Sequence, residues 1–130
     1  MKIIDRIEQL ALPLDQLIVI GSGVMDALGL RAARDIDLVV SIYLFKSLKD
    51  GGDWKLSVRH DEGVLERDDV EIWQSWGSQG VPNFEYLYKN GITIEGVRFA
   101  DPGFVLQQKE LLVRHKDLDD IRVLKEYLHE

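Results

Sequence analysis

Two short apolar runs constrain this chain more than any other feature: Leu17-Ile18-Val19-Ile20, and Ile36 to Val40 with Asp37 inside it. Each is brief and bounded by turn or polar signals, so each reads as a strand buried within a sheet. Gly21-Ser22-Gly23 breaks the first strand, Val24 to Leu30 follow as a short helix, and Asp35 opens the second strand. Strands without a polar face need helices packed over the sheet.

The flanking sequence supplies those helices. Ile3, Ile4, Ile7 and Leu10 fall at helical spacing, which predicts an amphipathic helix over the first ten residues, ended by Pro13. Residues 42–50 read as a helix stopping at Gly51-Gly52. In the middle, Leu56 and Val58 begin β structure, Val64 to Glu66 continue it, and Val70 to Trp76 form the longest expected strand. Gly77, Gly80 and Pro82 mark a loop. Residues 83–89 are a helix closed by Asn90-Gly91, and Ile92 to Ile94 and Val97 to Phe99 are short strands around Glu95-Gly96. One helix starts after Asp101, with Pro102 in an early position, and runs to about Arg114. Another spans about Asp117 to Leu128 with Leu118, Ile121, Leu124 and Leu128 on one face. The order predicts an α/β (α+β) fold, a mixed β-sheet flanked by helices, in a single domain over 1–130.

Composition narrows the function. At 130 residues and 45% apolar content, the chain builds one core. Sixteen basic against 23 acidic residues give a net charge of −7, which disfavours broad affinity for nucleic acid. A divalent metal or a local basic patch reverses that field within one cleft. With no cysteine, disulfides, thiolate metal sites and cysteine nucleophiles are excluded. MKIIDRIEQL lacks the apolar stretch of a signal peptide, and no segment approaches the roughly 20 apolar residues of a bilayer span. The expectation is a soluble, cytoplasmic protein with no membrane partner.

The chemistry concentrates in residues 18–41, IVIGSGVMDALGLRAARDIDLVVS. Asp35 and Asp37 are two apart on a strand, so their carboxylates project from one face while Ile36 and Leu38 enter the core. Two adjacent carboxylates repel each other unless something positive lies between them. Mg²⁺ meets that need, because it takes oxygen ligands and bridges carboxylates to substrate phosphates. Gly21-Ser22, where a strand gives way to a helix, presents backbone N–H groups and a hydroxyl to an anion. Together these describe a site for a nucleoside triphosphate (NTP) with Mg²⁺. Glu71, an acid inside an apolar strand, is the candidate third carboxylate, completing the metal site and acting as base toward the acceptor; Asp69 is its alternative.

The pattern apolar-Gly21-Ser22, then residues 23–34, then Asp35-apolar-Asp37-apolar resembles the signature of the DNA polymerase β-like nucleotidyltransferase superfamily. Arg31 matches an arginine common in its small toxin-type and antibiotic-modifying branches. The tail QQKELLVRHKDLDDIRVL, with Lys109, Arg114, Lys116, Asp117 and Asp120, resembles the C-terminal Lys-Asp-x-x-Asp helix of the abortive-infection toxin branch. The likeness covers residues 17 to 124 or so. It implies a minimal nucleotidyltransferase with Asp35, Asp37 and Glu71 as ligands of two Mg²⁺ ions and as the catalytic set. It also implies Gly21, Ser22, Arg31 and Lys116 as nucleotide-binding residues. The acceptor implied is a hydroxyl of a protein, a tRNA or a small molecule, and the acidic surface points away from RNA. Ala33 departs from relatives with serine or histidine there, and the chain has no room for a large acceptor-binding domain, so the acceptor site is an open cleft or a partner chain, or there is none.

Plainer readings stand beside these. Glu71 is alternatively a surface glutamate on an edge strand. Arg31 alternatively pairs with Asp35 or Asp26, and Lys116, Asp117 and Asp120 alternatively cap and solubilise the last helix. His60, His115 and His129 lack metal-ligand spacing; Trp54, Trp73 and Trp76 read as core or interface packing, with base stacking open to Trp73 and Trp76. The competing function is a catalytically degenerate module that binds nucleotide or a partner protein, and a homo-oligomer is compatible with either. A kinase-type reading lacks its lysine strand or P-loop.

Overall fold

The computed structural model describes residues 2–76, 82–112 and 114–129. The described strands form one seven-stranded sheet, in the order β3-β4-β5-β2-β1-β7-β6. The strands are β1 (Leu17–Ile20), β2 (Ile36–Val40), β3 (Lys55–Arg59), β4 (Glu62–Arg67), β5 (Val70–Trp73), β6 (Ile92–Ile94) and β7 (Val97–Phe99). The helices are α1 (Ile3–Gln9), α2 (Ser22–Ala27), α3 (Ile42–Gly51), α4 (Phe84–Lys89), α5 (Pro102–Leu112) and α6 (Leu118–Leu128). The sheet is mixed: β1 runs parallel to β7 and β2 parallel to β5, while β1 and β2 are antiparallel. The expected α/β class, a mixed sheet with helices around it, is the architecture observed.

The two apolar runs do what their composition demands. All four residues of β1 are buried, and in β2 only Asp37 is not. The reason lies in their central position, with α2 packed on β1 and β2 and α4 packed on β1. Ile3 and Ile7 of α1 are also fully buried, so the first helix closes over the same core. Ser41 caps α3 by accepting from the Leu44 N–H, a standard helix start.

Several boundaries differ from the sequence reading. The strand expected over Val70 to Trp76 ends at Trp73, and β4 is longer. The chain leaves the sheet there because the Trp76 N–H bonds the Pro82 carbonyl and Ser75 bridges Asn83. Gly77 and Gly80 of the expected loop lie outside the described residues. The helix α2 starts at Ser22, ahead of Val24, and ends at Ala27; α5 stops at Leu112. Leu56 to Glu66 resolves into a hairpin turned at His60-Asp61, both with positive φ, the signature of a tight turn suited to strand twist. Glu95-Gly96 makes the same kind of turn between β6 and β7.

Candidate active site

Register assembles the site. In the antiparallel β1–β2 pair Ile20 lies opposite Asp37, so the turn leaving β1 sits level with the start of β2. Gly21 occupies that turn with φ +65°, a conformation L side chains rarely adopt. A Cβ there would lie 3.5 Å from an Asp37 carboxylate oxygen, so Asp37 faces the turn directly. Gly23 is required for a different reason: its Cβ would meet Val19 at 2.5 Å, so α2 packs against β1 only with glycine here. Ser22, half-buried, makes no side-chain hydrogen bond among the described residues. The opening N–H groups of a helix have no acceptor within it, and here they border an acid.

The next strands extend the acid row. Parallel pairing sets Asp37 beside Glu71, and antiparallel pairing sets Glu71 beside Glu66. Directly paired residues share a sheet face, so three carboxylates line up on one side. Burial, followed by the charge and contact of Glu71 and the charge of Asp35, pushes the Asp37 carboxyl up to about 7. The Trp73 side chain, two residues past Glu71 and on its face, opposes this by favouring the charged form of Asp37. That role went unread in the sequence, where Trp73 looked like packing; the signal available was its i+2 spacing from Glu71. Glu71 is not unpaired. Arg59 Nη1 donates to its Oε1 at 2.6 Å, and the same guanidinium pairs with Glu66.

The remaining sequence candidates sit as follows. Asp35 is exposed and makes no ion pair or hydrogen bond among the described residues. Asp69, the alternative third acid, is bound by Arg6 at 2.7 Å, and its carbonyl accepts the Ile36 N–H. Arg6 also donates to the carbonyls of Ala33 and Arg34, and Asp26 accepts the Ala33 N–H, so the segment entering Asp35 is held from both sides. Arg31 pairs with neither Asp35 nor Asp26 among the described residues: its guanidinium forks across both oxygens of Asp120, at 2.7 and 2.8 Å. Lys116 is exposed and without a partner among the described residues.

The tail motif folds into a second charged cluster. Lys109 is buried between Asp117, at 3.2 Å, and Asp120, at 3.1 Å, and Arg114 completes Asp117 at 2.6 Å. Burial alone would raise both carboxyls; the bonds from Arg114 and Lys109 to Asp117, and from Arg31 and Lys109 to Asp120, win and lower them.

Chemically the acid row suits a hard divalent cation: oxygen donors, crowded like charges and a glycine that admits close approach. The fit is partial, because among the described residues no three acids or histidines gather as a metal-holding group. Asp35 and Asp37 share a side by strand parity, whereas Glu71 is drawn toward Arg59. A hollow of about 430 Å³ is lined in part by Tyr86, Asn90, Asp101, Phe104 and Gln107, from α4 and the residue after it and from α5 and the residue before it. Among the described residues no helix is long and apolar enough to cross a membrane.

A mixed sheet whose first two strands carry a Gly-Ser turn against an acid pair has the nucleotidyltransferase fold. The crystal structure of ANT(2″)-Ia in complex with adenylyl-2″-tobramycin shares it, with a TM-score of 0.58 over 98% of this chain and 86% of that one. Sequence identity to it is 18%, so the likeness is one of fold. No protein-family model and no curated protein matches the chain.

Proposed function

We propose that this protein is a Mg²⁺-dependent nucleotidyltransferase, moving a nucleoside monophosphate from an NTP to a hydroxyl of an acceptor. The observation that carries the reading is the Asp37 carboxylate set against the Gly21 turn, 3.5 Å from where a Cβ on that glycine would lie. Phosphates bind the open amides and the Ser22 hydroxyl at that turn. The acceptor oxygen attacks the α-phosphorus, the bond to the bridging oxygen breaks, and pyrophosphate leaves. Asp35 and Asp37, with Glu71 once it parts from Arg59, would hold the metal, which when bound neutralises the triphosphate and lowers the acceptor's pKa. Glu71 would also take the acceptor's proton. Arg31 and the Arg6 clamp position the segment carrying Asp35.

The hollow between α4 and α5 suits a small hydroxylated acceptor: Asn90 and Gln107 offer amides, Asp101 a carboxylate, and Tyr86 and Phe104 ring faces. ANT(2″)-Ia, whose crystals hold an adenylylated tobramycin, is consistent with that class of acceptor. A second reading, a non-catalytic module that binds nucleotide, is favoured by one observation: Glu71 is engaged by Arg59, and among the described residues no three-acid group gathers.

The test supplies each of the four labelled NTPs with Mg²⁺ and a cell extract, comparing wild type with Asp37→Ala. Transfer of label by wild type alone supports the enzyme. Mg²⁺-dependent NTP binding without turnover, lost in Asp35→Ala, favours the module, and absence of both overturns the nucleotide site.

A further inference from the structure

Resting on the nucleotidyltransferase reading, we infer that Arg59 and a divalent cation compete for Glu71, and that the displaced guanidinium binds a phosphate of the NTP. Arg59 belongs to β3, the outermost strand on its side, yet its side chain crosses β4 to reach Glu71 on β5. Its partners are Glu66 and Glu71, both in the row that ends at Asp37. Among the described residues no other cation pairs with an acid of that row: Arg6 is bound to Asp69 and two carbonyls, while Arg31, Lys109 and Arg114 are bound to Asp117 and Asp120.

Charge drives the exchange. Glu71 bonds the guanidinium through Oε1 and also lies against Asp37. A doubly charged ion seated between Asp37 and Glu71 would repel a guanidinium held on the same carboxylate. The Arg59 side chain is 43% exposed, and among the described residues only the two glutamates hold its head. The guanidinium keeps its charge, since Glu71, the larger influence, and Glu66 raise its pKa further. A planar fork of donors matches phosphate oxygens as well as it matches carboxylates. The same side chain therefore neutralises the acid row and, when a cation takes its place, the nucleotide.

Arg59→Gln separates this from a structural role, with Arg59→Lys as the conservative control and circular dichroism confirming the fold. Without nucleotide, Mn²⁺ affinity measured by electron paramagnetic resonance is expected to tighten about tenfold in Arg59→Gln, since the competing charge is gone. In Mg²⁺, NTP affinity by calorimetry is expected to weaken about tenfold. Combining Arg59→Gln with Glu71→Gln should erase the gain in Mn²⁺ affinity. Opposite shifts support the inference; unchanged Mn²⁺ affinity, or both affinities weakened together, overturns it while leaving the nucleotide site standing. Wild-type protein that binds neither Mn²⁺ nor NTP defeats both.

Discussion

The molecule holds two acid clusters of opposite design. Around Asp35, Asp37, Glu66 and Glu71, the one cation paired with these acids among the described residues is Arg59, and it reaches only Glu66 and Glu71. Around Asp117 and Asp120, two carboxylates meet three cations: Lys109, Arg31 and Arg114. The first pushes Asp37 up to about 7; the second lowers both of its aspartates. Proteins rarely leave buried acids uncompensated without a use for them. The saturated cluster locks α5 and α6 to the segment before β2, and the unsaturated one is where the proposed cation would bind.

The sharpest way to break that contrast is Lys109→Met. It leaves Asp117 with Arg114 and Asp120 with Arg31, so the cost falls short of a fully orphaned pair: about 2–3 kcal/mol, read from urea unfolding at pH 7. A loss below about 0.5 kcal/mol would show that the cluster is not structural. The lowered aspartates add stability that is complete above the unfolded carboxyl range and disappears as pH falls through their folded values, on the acid side of 4 or so.

Asp37→Asn should do the reverse. The folded protein holds a proton on Asp37 up to about 7, while the unfolded chain releases it near 3.8, so ionisation lowers stability progressively as pH rises between those values. The variant is expected to be about 1–2 kcal/mol more stable than wild type at pH 8, a gain discounted for partial exposure that vanishes near pH 4. A flat difference across a pH series of melts would contradict the crowding of these acids. Mg²⁺-dependent NTP binding should disappear in the same variant.

Arg31→Lys retains the charge and loses the fork on Asp120, for an expected cost of about 1 kcal/mol. Lys116→Ala comes last. With an exposed side chain and no partner among the described residues, it should change stability by less than about 0.5 kcal/mol. An accompanying rise in the KM for NTP would return Lys116 to the phosphate site.

Much of the fold was readable because it is locally encoded. Unbroken apolar runs marked β1 and β2, helical spacing marked α1 and α6, and Glu95-Gly96 marked its hairpin. The strand ending at Trp73 was overestimated because β propensity continues through Trp76, whereas the exit depends on Pro82 and Asn83 partnering the chain. At the site, Arg59 and Trp73 went unread. Nothing near Arg59 in the chain reveals that the hairpin folds its guanidinium onto Glu71.

Sequence alone determined that Asp35 and Asp37 share a strand parity, since that alternation acts between neighbouring residues. Tertiary structure decided the partners. Antiparallel register brought Asp37 to Gly21, strand order put Glu71 between Asp37 and Glu66, and the packing of α5 with α6 gave Asp120 to Arg31 and Lys109. Electrostatic pairing follows distance in space, and that distance exists only once the sheet has closed its order.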